Sequence, residues 1–224
     1  MVSLIFLMAV LVLPFVVLIV VLTTVAPAVA RRERARTAAL HQWAMANGWT
    51  FTPSCQPPWT AHLPGRNHRG LGATLIGQIG GRRVIVSEYS YSTTSSSGDT
   101  TTTSTHHFIV VAVLLDRMHP PVSVRRTPGA LAVFARKLFG QSPAPTGDPV
   151  FDSFFRIDSA DPNHARSLVG PQLMHAHVTG GLPPWQIVGS ELLTCTPTSG
   201  RIHDPNLVFA YAGPTVHVAE LLGR

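Results

Sequence analysis

Residues 2–30 contain no charged side chain, and residues 4–25 are almost wholly Leu, Ile, Val, Phe and Met. A helix that crosses a hydrocarbon core of about 30 Å needs roughly 20 apolar residues, at a rise of about 1.5 Å each. Pro14 lies inside the run, and prolines are tolerated in membrane-spanning helices. The sequence therefore predicts a transmembrane anchor over residues 1–30.

A cleaved signal peptide is the competing interpretation, because Ala28-Val29-Ala30 imitates a cleavage site with small residues at both ends. Three observations favour the uncleaved anchor. No Lys or Arg precedes the apolar run, the run exceeds the usual length of about 7–15 residues, and arginine follows the would-be cleavage site at once.

Four arginines follow the apolar run, namely Arg31, Arg32, Arg34 and Arg36. Positive charge is retained on the cytoplasmic side, so we expect the N-terminus outside and residues 31–224 in the cytoplasm of a single-pass cell-membrane protein. The same arginines are candidates for contact with anionic lipid headgroups, at about 1 kcal/mol each. The simpler interpretation, in which the arginines act only as a topology signal, is favoured.

The charge balance is weakly basic, with a formal net charge of +6 for the whole chain. Half of that excess comes from the four arginines beside Glu33, and no basic run is interleaved with aromatic residues. Nucleic acid is therefore not an expected partner. Two cysteines, Cys55 and Cys195, are too few for a disulfide framework or a cysteine zinc site. They should be reduced in the cytoplasm, whereas a domain outside the membrane would allow a bridge between them.

Beyond the anchor, the sequence predicts a juxtamembrane helix over residues 31–48 with Gly48 at its left-handed C-terminal position. Residues 49–224 read as one α+β domain with a possible internal boundary near 141–148. We expect a mixed, largely antiparallel sheet with helices packed on it. Trp43 and Trp49 are candidates for the membrane interface or for the start of the core, and the core is favoured.

Strands dominate the first half of that domain. Two strands, 73–79 and 82–91, flank Gly80-Gly81 as a hairpin. Residues 107–115 are apolar on both faces, which predicts a central, covered strand. Between these strands, residues 93–105 are Thr, Ser, Gly and Asp only. They form either a recognition loop or phosphate-acceptor cluster, or the polar tip of a long hairpin, which the strand propensity of Thr favours.

The second half alternates short strands with helices. Asp161-Pro162 and Asp204-Pro205 are helix starts, with Asp as N-cap and Pro in the first turn. The predicted strands are 122–125, 149–158 and a hairpin of 185–188 with 191–196 around Gly189-Ser190. The predicted helices are 128–138, 163–169, 172–178 and 207–222, the last with a break at Gly213-Pro214, and 141–147 is a surface linker.

Three short stretches carry a family resemblance. They are Trp43 followed by Asn47-Gly48-Trp49, Ile76-Gly77 followed by Gly81-Arg82-Arg83-Val84, and Phe151-Asp152-x-x-Phe155-x-Ile157 followed by Asp161-Pro162. With the N-terminal anchor, these make the chain resemble uncharacterised actinobacterial membrane proteins that have one span and an α+β domain of unknown function. The resemblance implies a shared architecture and no catalytic residues.

Familiar catalytic templates are missing from the sequence: it has no P-loop, no dinucleotide fingerprint, no G-x-S-x-G elbow and no His-Glu-x-x-His. No cofactor or metal site is predicted. His175 and His177 lie about 200° apart on a helix, and His106 and His107 point to opposite faces of a strand, so neither pair suits a metal.

Two functions from different classes follow. The first is a membrane-tethered, non-catalytic domain that binds a protein or a membrane component. The alternative is a membrane-anchored hydrolase with an unfamiliar site built from some of the histidines and Asp152. The candidates for a general acid or base are Asp152, His164 and Glu191. Asp148 and Asp152 could also face one another across a cleft, although local capping of backbone N–H groups is the favoured role for both.

Overall fold

The computed structural model describes residues 26–66, 70–98, 100–127, 146–199 and 201–222. The predicted membrane span, the predicted helix 128–138 and most of the linker 141–147 lie outside these residues. Among the helices that are described, none combines the length and the apolar character needed to cross a bilayer.

The first described helix, α1, runs over Ala26–Ala46, so residues 26–30 are helical together with the arginines that follow them. Leu40 and Ala44 on one face are buried in the domain core. Gly48 has a φ of 71°, which confirms its predicted left-handed position. The chain turns there, and Trp49 enters the core with 6% of its surface exposed.

Six described strands form one sheet, and four further helices follow α1. The strands are β1 Thr50–Thr52, β2 Thr74–Ile79, β3 Arg82–Ser97, β4 Thr100–Arg126, β5 Phe155–Ser159 and β6 Trp185–Thr198. The helices are α2 Pro149–Phe154, α3 Pro162–Leu168, α4 Pro171–Val178 and α5 Val208–Leu222. Short 3-10 turns occupy Pro58–His62, Pro64–Arg66 and Pro205–Leu207.

The long strand β4 is the central strand of the sheet and pairs with three others. On one edge it pairs with β3 and then with β5, and on the other edge it pairs with β6. Every strand pairing described is antiparallel, in agreement with the predicted α+β class.

Side chains alternate between two apolar clusters on the two faces of the sheet. Val84 and Val86 belong to the larger cluster, which α1 and α5 cover, whereas Ile85 belongs to the smaller one under the 3-10 turns. Residues 109–113 of β4 alternate in the same way, which confirms the prediction of a central strand covered on both faces.

The polar segment 93–105 is the tip of the β3–β4 hairpin, as favoured from the sequence. Its backbone pairing continues to Ser97 and Thr100. Cross-strand hydroxyl pairs line one face: Ser92 with Thr105 at 3.0 Å, Thr94 with Thr103 at 3.2 Å and Ser96 with Thr101 at 3.0 Å.

Two predicted strand assignments are wrong. The predicted strand 149–158 begins as helix α2, because the Asp148 side chain accepts hydrogen bonds from the N–H groups of Val150 and Phe151 at 2.9 and 3.1 Å. The predicted hairpin 185–196 is the single strand β6. Gly189, with a φ of 65°, lies at an irregularity in the pairing with β4 instead of at a turn.

Two predicted breaks are also absent from the described chain. The predicted strands 107–115 and 122–125 are one strand, β4, which continues through Pro120-Pro121 at the irregularity in its pairing with β6. Helix α5 continues through Gly213-Pro214. Packing holds it together across the proline, since Ala212, Thr215 and Val216 are all buried.

Candidate functional site

A cavity of about 710 Å³ lies beside the start of β2, where β3 extends beyond its pairing with β2 toward the hairpin tip. Helix α1 forms one wall, and the chain before β2 forms another. Successive residues of a strand point to opposite faces of a sheet. Glu88 and Tyr91 of β3 point to opposite faces and both line the cavity, so the cavity extends around the edge of β3. Its main polar and aromatic lining residues are Glu33, Arg36, Phe51, Glu88, Tyr91 and Arg201.

An ion-pair network crosses the cavity wall. The guanidinium of Arg36 lies 2.7 Å from a carboxylate oxygen of Glu33 and 2.5 Å from one of Glu88. It also donates to the carbonyl of Ile202 at 3.1 Å, and the Ile202 N–H donates to the Glu88 carboxylate at 2.8 Å. Arg201 adds a second cation, 2.8 Å from Glu33. The network thus joins α1, β3 and the chain before α5.

The helical periodicity of α1 determines which of its side chains join the network. Glu33 and Arg36 precede the buried Leu40 by seven and four positions, so all three side chains face the sheet. Arg36 is 10% exposed, and Glu88 is 12% exposed. The hydrogen bond from Arg36 lowers the pKa of Glu33, whose partial burial opposes the shift. The same bond raises the pKa of Arg36, so the pair stays ionised over the whole physiological range.

Aromatic rings form the other side of the cavity. The Tyr91 ring stacks on Phe108 at a centroid distance of 5.6 Å and on His106 at 5.0 Å. Gly65 lies directly against it, since a Cβ at that position would be 2.2 Å from the Tyr91 ring. The neighbouring Tyr89 hydroxyl donates to the carbonyl of Pro64. Tyr91 therefore has a fixed position at the cavity edge.

The four predicted membrane-surface arginines do not share one environment. Arg31, Arg32 and Arg34 are exposed on α1, and their contact with headgroups stays a prediction. Arg36 instead directs its guanidinium toward Glu33 and Glu88 in the cavity wall. The helical phase separates it from Arg34, because residues two apart lie about 200° apart around a helix.

The candidate acids Asp148 and Asp152 both accept local hydrogen bonds. Asp148 caps α2, and the Asp152 carboxylate accepts from the N–H of Thr146 at 3.1 Å and from its hydroxyl at 2.9 Å. The His164 ring lies 5.8 Å from the ring of His119. Within the described ranges, no three His, Cys, Asp or Glu side chains gather in a way that would hold a metal ion.

The remaining candidates are spread over other elements. Burial raises the pKa of Glu191 on β6. His175 is exposed, whereas His177 is 2% exposed and accepts a hydrogen bond from the indole N–H of Trp185 at 2.9 Å. Burial lowers the pKa of His177 to about 4, so the imidazole is neutral. This histidine is part of the core.

The two cysteines stand apart on one face of the sheet. The Cys55 thiol contacts the Thr74 hydroxyl at 3.4 Å. Thr74 pairs with Ser87, Ser87 with Val110, and Val110 with Cys195. Three strand spacings of about 4.8 Å put Thr74 and Cys195 about 14 Å apart. A disulfide needs Cα atoms within about 7 Å, so the bridge considered for a domain outside the membrane does not suit this fold.

Sequence reasoning overlooked Glu88, Arg201 and Tyr91 as cavity residues. Glu88 carried a usable signal, because it follows Val84 and Val86 on the face that packs against helices. A carboxylate on such a face needs a cationic partner. The partner itself is not evident from the sequence, since Arg36 is 52 positions away.

Comparison with solved structures shows a similar fold. The structure is similar to the crystal structure of the mycobacterial trehalose monomycolate transport factor A, TtfA, with a TM-score of 0.51 and 12% sequence identity. The match covers 84% of this chain and 95% of TtfA. No family model matches the chain, and no curated protein matches it. At this identity the likeness establishes a shared fold.

Proposed function

We propose that this chain is a membrane-tethered accessory domain that acts by binding a protein or a membrane component, and not by catalysis. The observation that carries the proposal is the fold shared with TtfA over most of both chains. TtfA is named a transport factor for trehalose monomycolate. By analogy, the present chain assists the movement of an envelope lipid.

The tether is the apolar segment 1–30, with the N-terminus outside and residues 31–224 in the cytoplasm. The charge asymmetry around residues 4–25 supports this orientation. Arg31, Arg32 and Arg34 are exposed on α1 directly after the segment and are free to approach anionic headgroups. Arg36 belongs to the cavity and is not included in the membrane contact.

The transport role can be tested by complementation of a deletion strain of the organism that encodes this protein. The readout is the fraction of newly labelled glycolipid that reaches the cell surface, with total synthesis measured in parallel. Loss of the protein should lower that fraction without lowering synthesis. The full chain should restore transport, and a chain that begins at residue 31 should not. Unchanged lipid distribution in the deletion strain would contradict the transport role.

Neutral substitutions separate the accessory role from the hydrolase alternative. We expect Asp152→Asn, His164→Gln and Glu191→Gln to complement fully at matched protein level, because none of these side chains lines the cavity. If one variant keeps its thermal stability and its membrane location but loses complementation, catalysis at that residue replaces the proposal.

A further inference from the structure

We propose that the cavity beside Arg36 binds a neutral, polyhydroxylated group of the sugar class. This inference rests on the proposed function only for the source of the ligand, a lipid headgroup or a free sugar. The cavity volume of about 710 Å³ falls within the roughly 300–1,000 Å³ of small-molecule sites.

The charges of the cavity argue for a neutral ligand. Its described lining contains two carboxylates, Glu33 and Glu88, and two guanidinium groups, Arg36 and Arg201. These four groups are paired with one another at 2.5–2.8 Å. An anion would have to displace a carboxylate from its arginine, and a cation would have to displace an arginine. A neutral ligand leaves every pair intact.

The hydrogen-bonding groups suit hydroxyls. Glu33 is 42% exposed and Arg201 is 54% exposed, so this pair stands at the mouth of the cavity with acceptor and donor positions open to the cavity. A sugar hydroxyl donates to a carboxylate and accepts from a guanidinium at the same time. Charge-assisted hydrogen bonds of this kind are roughly twice as strong as neutral ones.

Aromatic walls suit the C–H faces of a sugar ring. Tyr91 and Phe51 both line the cavity, and Tyr91 is fixed by Phe108, His106 and Gly65. A ring held in this way binds without further loss of side-chain entropy. Polar groups that fix orientation beside a rigid apolar wall are the usual composition of a small-molecule site.

The position of the cavity favours a headgroup. Arg36 follows the end of the predicted anchor by six residues, which is roughly 9 Å along a helix. In the proposed topology, the cavity therefore opens close to the depth of lipid headgroups. A glycolipid in the same leaflet could place its sugar there while its chains stay in the bilayer.

Saturation-transfer NMR on the full chain in phosphatidylcholine nanodiscs tests the ligand class. The probes are maltose, a neutral disaccharide, and glucose 6-phosphate, an anionic sugar. Maltose should show transfer and glucose 6-phosphate should not. If the ligand is a lipid headgroup, a neutral diglycosyl diacylglycerol in the nanodiscs should compete with maltose and reduce its transfer signal. If the ligand is a soluble sugar, the glycolipid should leave the maltose signal unchanged. Preference for the phosphate, or transfer to neither probe, overturns the proposal.

Substitutions of single residues test whether maltose binds in this cavity. Arg201→Met removes a half-exposed donor and should weaken maltose binding about tenfold, the equivalent of one charge-assisted hydrogen bond. Glu33→Gln leaves one unbalanced positive charge and should allow glucose 6-phosphate to bind. Arg34→Gln replaces an exposed arginine of α1 that does not line the cavity, so this variant is the matched control and should bind like the parent chain. An equal loss in Arg34→Gln and Arg201→Met would refute the assignment. A normal sugar signal without lipid transport in cells would refute the proposed function alone.

Discussion

Replacement of Arg36 by Ala removes the central cation of the network and should cost about 3 kcal/mol of unfolding free energy. Glu88, which is 12% exposed beside Arg36, would keep the hydrogen bond from the Ile202 N–H but would lose its cation. Removal of one partner from a buried ion pair costs about 3–5 kcal/mol, because the other charge is left uncompensated. The remaining hydrogen bond from Ile202 places the expected value at the lower end.

Urea unfolding of the full chain in mild detergent, followed by tryptophan fluorescence, measures this cost. Arg34→Ala is the control on the same helix and should change stability by less than about 0.5 kcal/mol. The double variant Arg36→Met with Glu88→Leu should be more stable than Arg36→Ala, since it leaves no buried charge unpaired. If Arg36→Ala unfolds like Arg34→Ala, the network does not bind α1 to the sheet and the reasoning is refuted.

Three further predictions follow from the core. The free energy of unfolding should fall by roughly 3 kcal/mol between pH 6.5 and 4, because His177 has a lowered pKa of about 4 and only the unfolded chain takes up its proton over that window. His177→Gln should lose this pH dependence, and an unchanged pH dependence in the variant contradicts the assignment. Cys55 and Cys195 should both remain open to alkylation after oxidation and unfolding, and a mass shift for a disulfide would contradict the sheet register. Gly77→Ala should lower stability by about 1–3 kcal/mol, because its Cβ would lie 2.2 Å from the indole of Trp49; unchanged thermal unfolding would refute that packing.

The parts of the fold that local chemistry determines could be predicted from the sequence. The alternation from residue 84 to 89 and the two glycines at 80 and 81 specify a hairpin, because both signals act within a few residues. Gly48 ends α1 for the same reason. Trp49 lies in the core as favoured, packed on the ring of Trp43 at 5.7 Å.

The errors arose where tertiary pairing outweighs a local signal. Gly189 and Pro214 are typical of a turn and a helix break, yet β6 and α5 continue through them. Ile187 and Leu192 of β6 and Thr215 and Val216 of α5 are buried nearby, and that packing compensates for the local cost. Asp148-Pro149 shows a different error. It starts a helix just as Asp161-Pro162 does. The aromatic residues that follow it are typical of a strand, and the prediction gave them more weight than the helix start.

The cavity could not be predicted because its parts are far apart along the chain. Arg36, Glu88 and Arg201 meet only after α1 has packed on β3 and the chain before α5 has closed over both. A single sequence shows that Glu88 needs a cation, but it offers many arginines as candidates. The resemblance to single-pass actinobacterial proteins concerned architecture, and it supplied no ligand.

The most direct test of the account is the sidedness of residues 31–224. Two C-terminal fusions of the full chain serve for this, one to an enzyme that is active only outside the membrane and one to a protein that fluoresces only inside. The cysteines cannot replace these reporters, since the fold keeps Cys55 and Cys195 apart on either side. The account predicts fluorescence in the membrane fraction with an inactive external reporter. An active external reporter, or a fusion protein found free of the membrane, would contradict the tethered cytoplasmic domain.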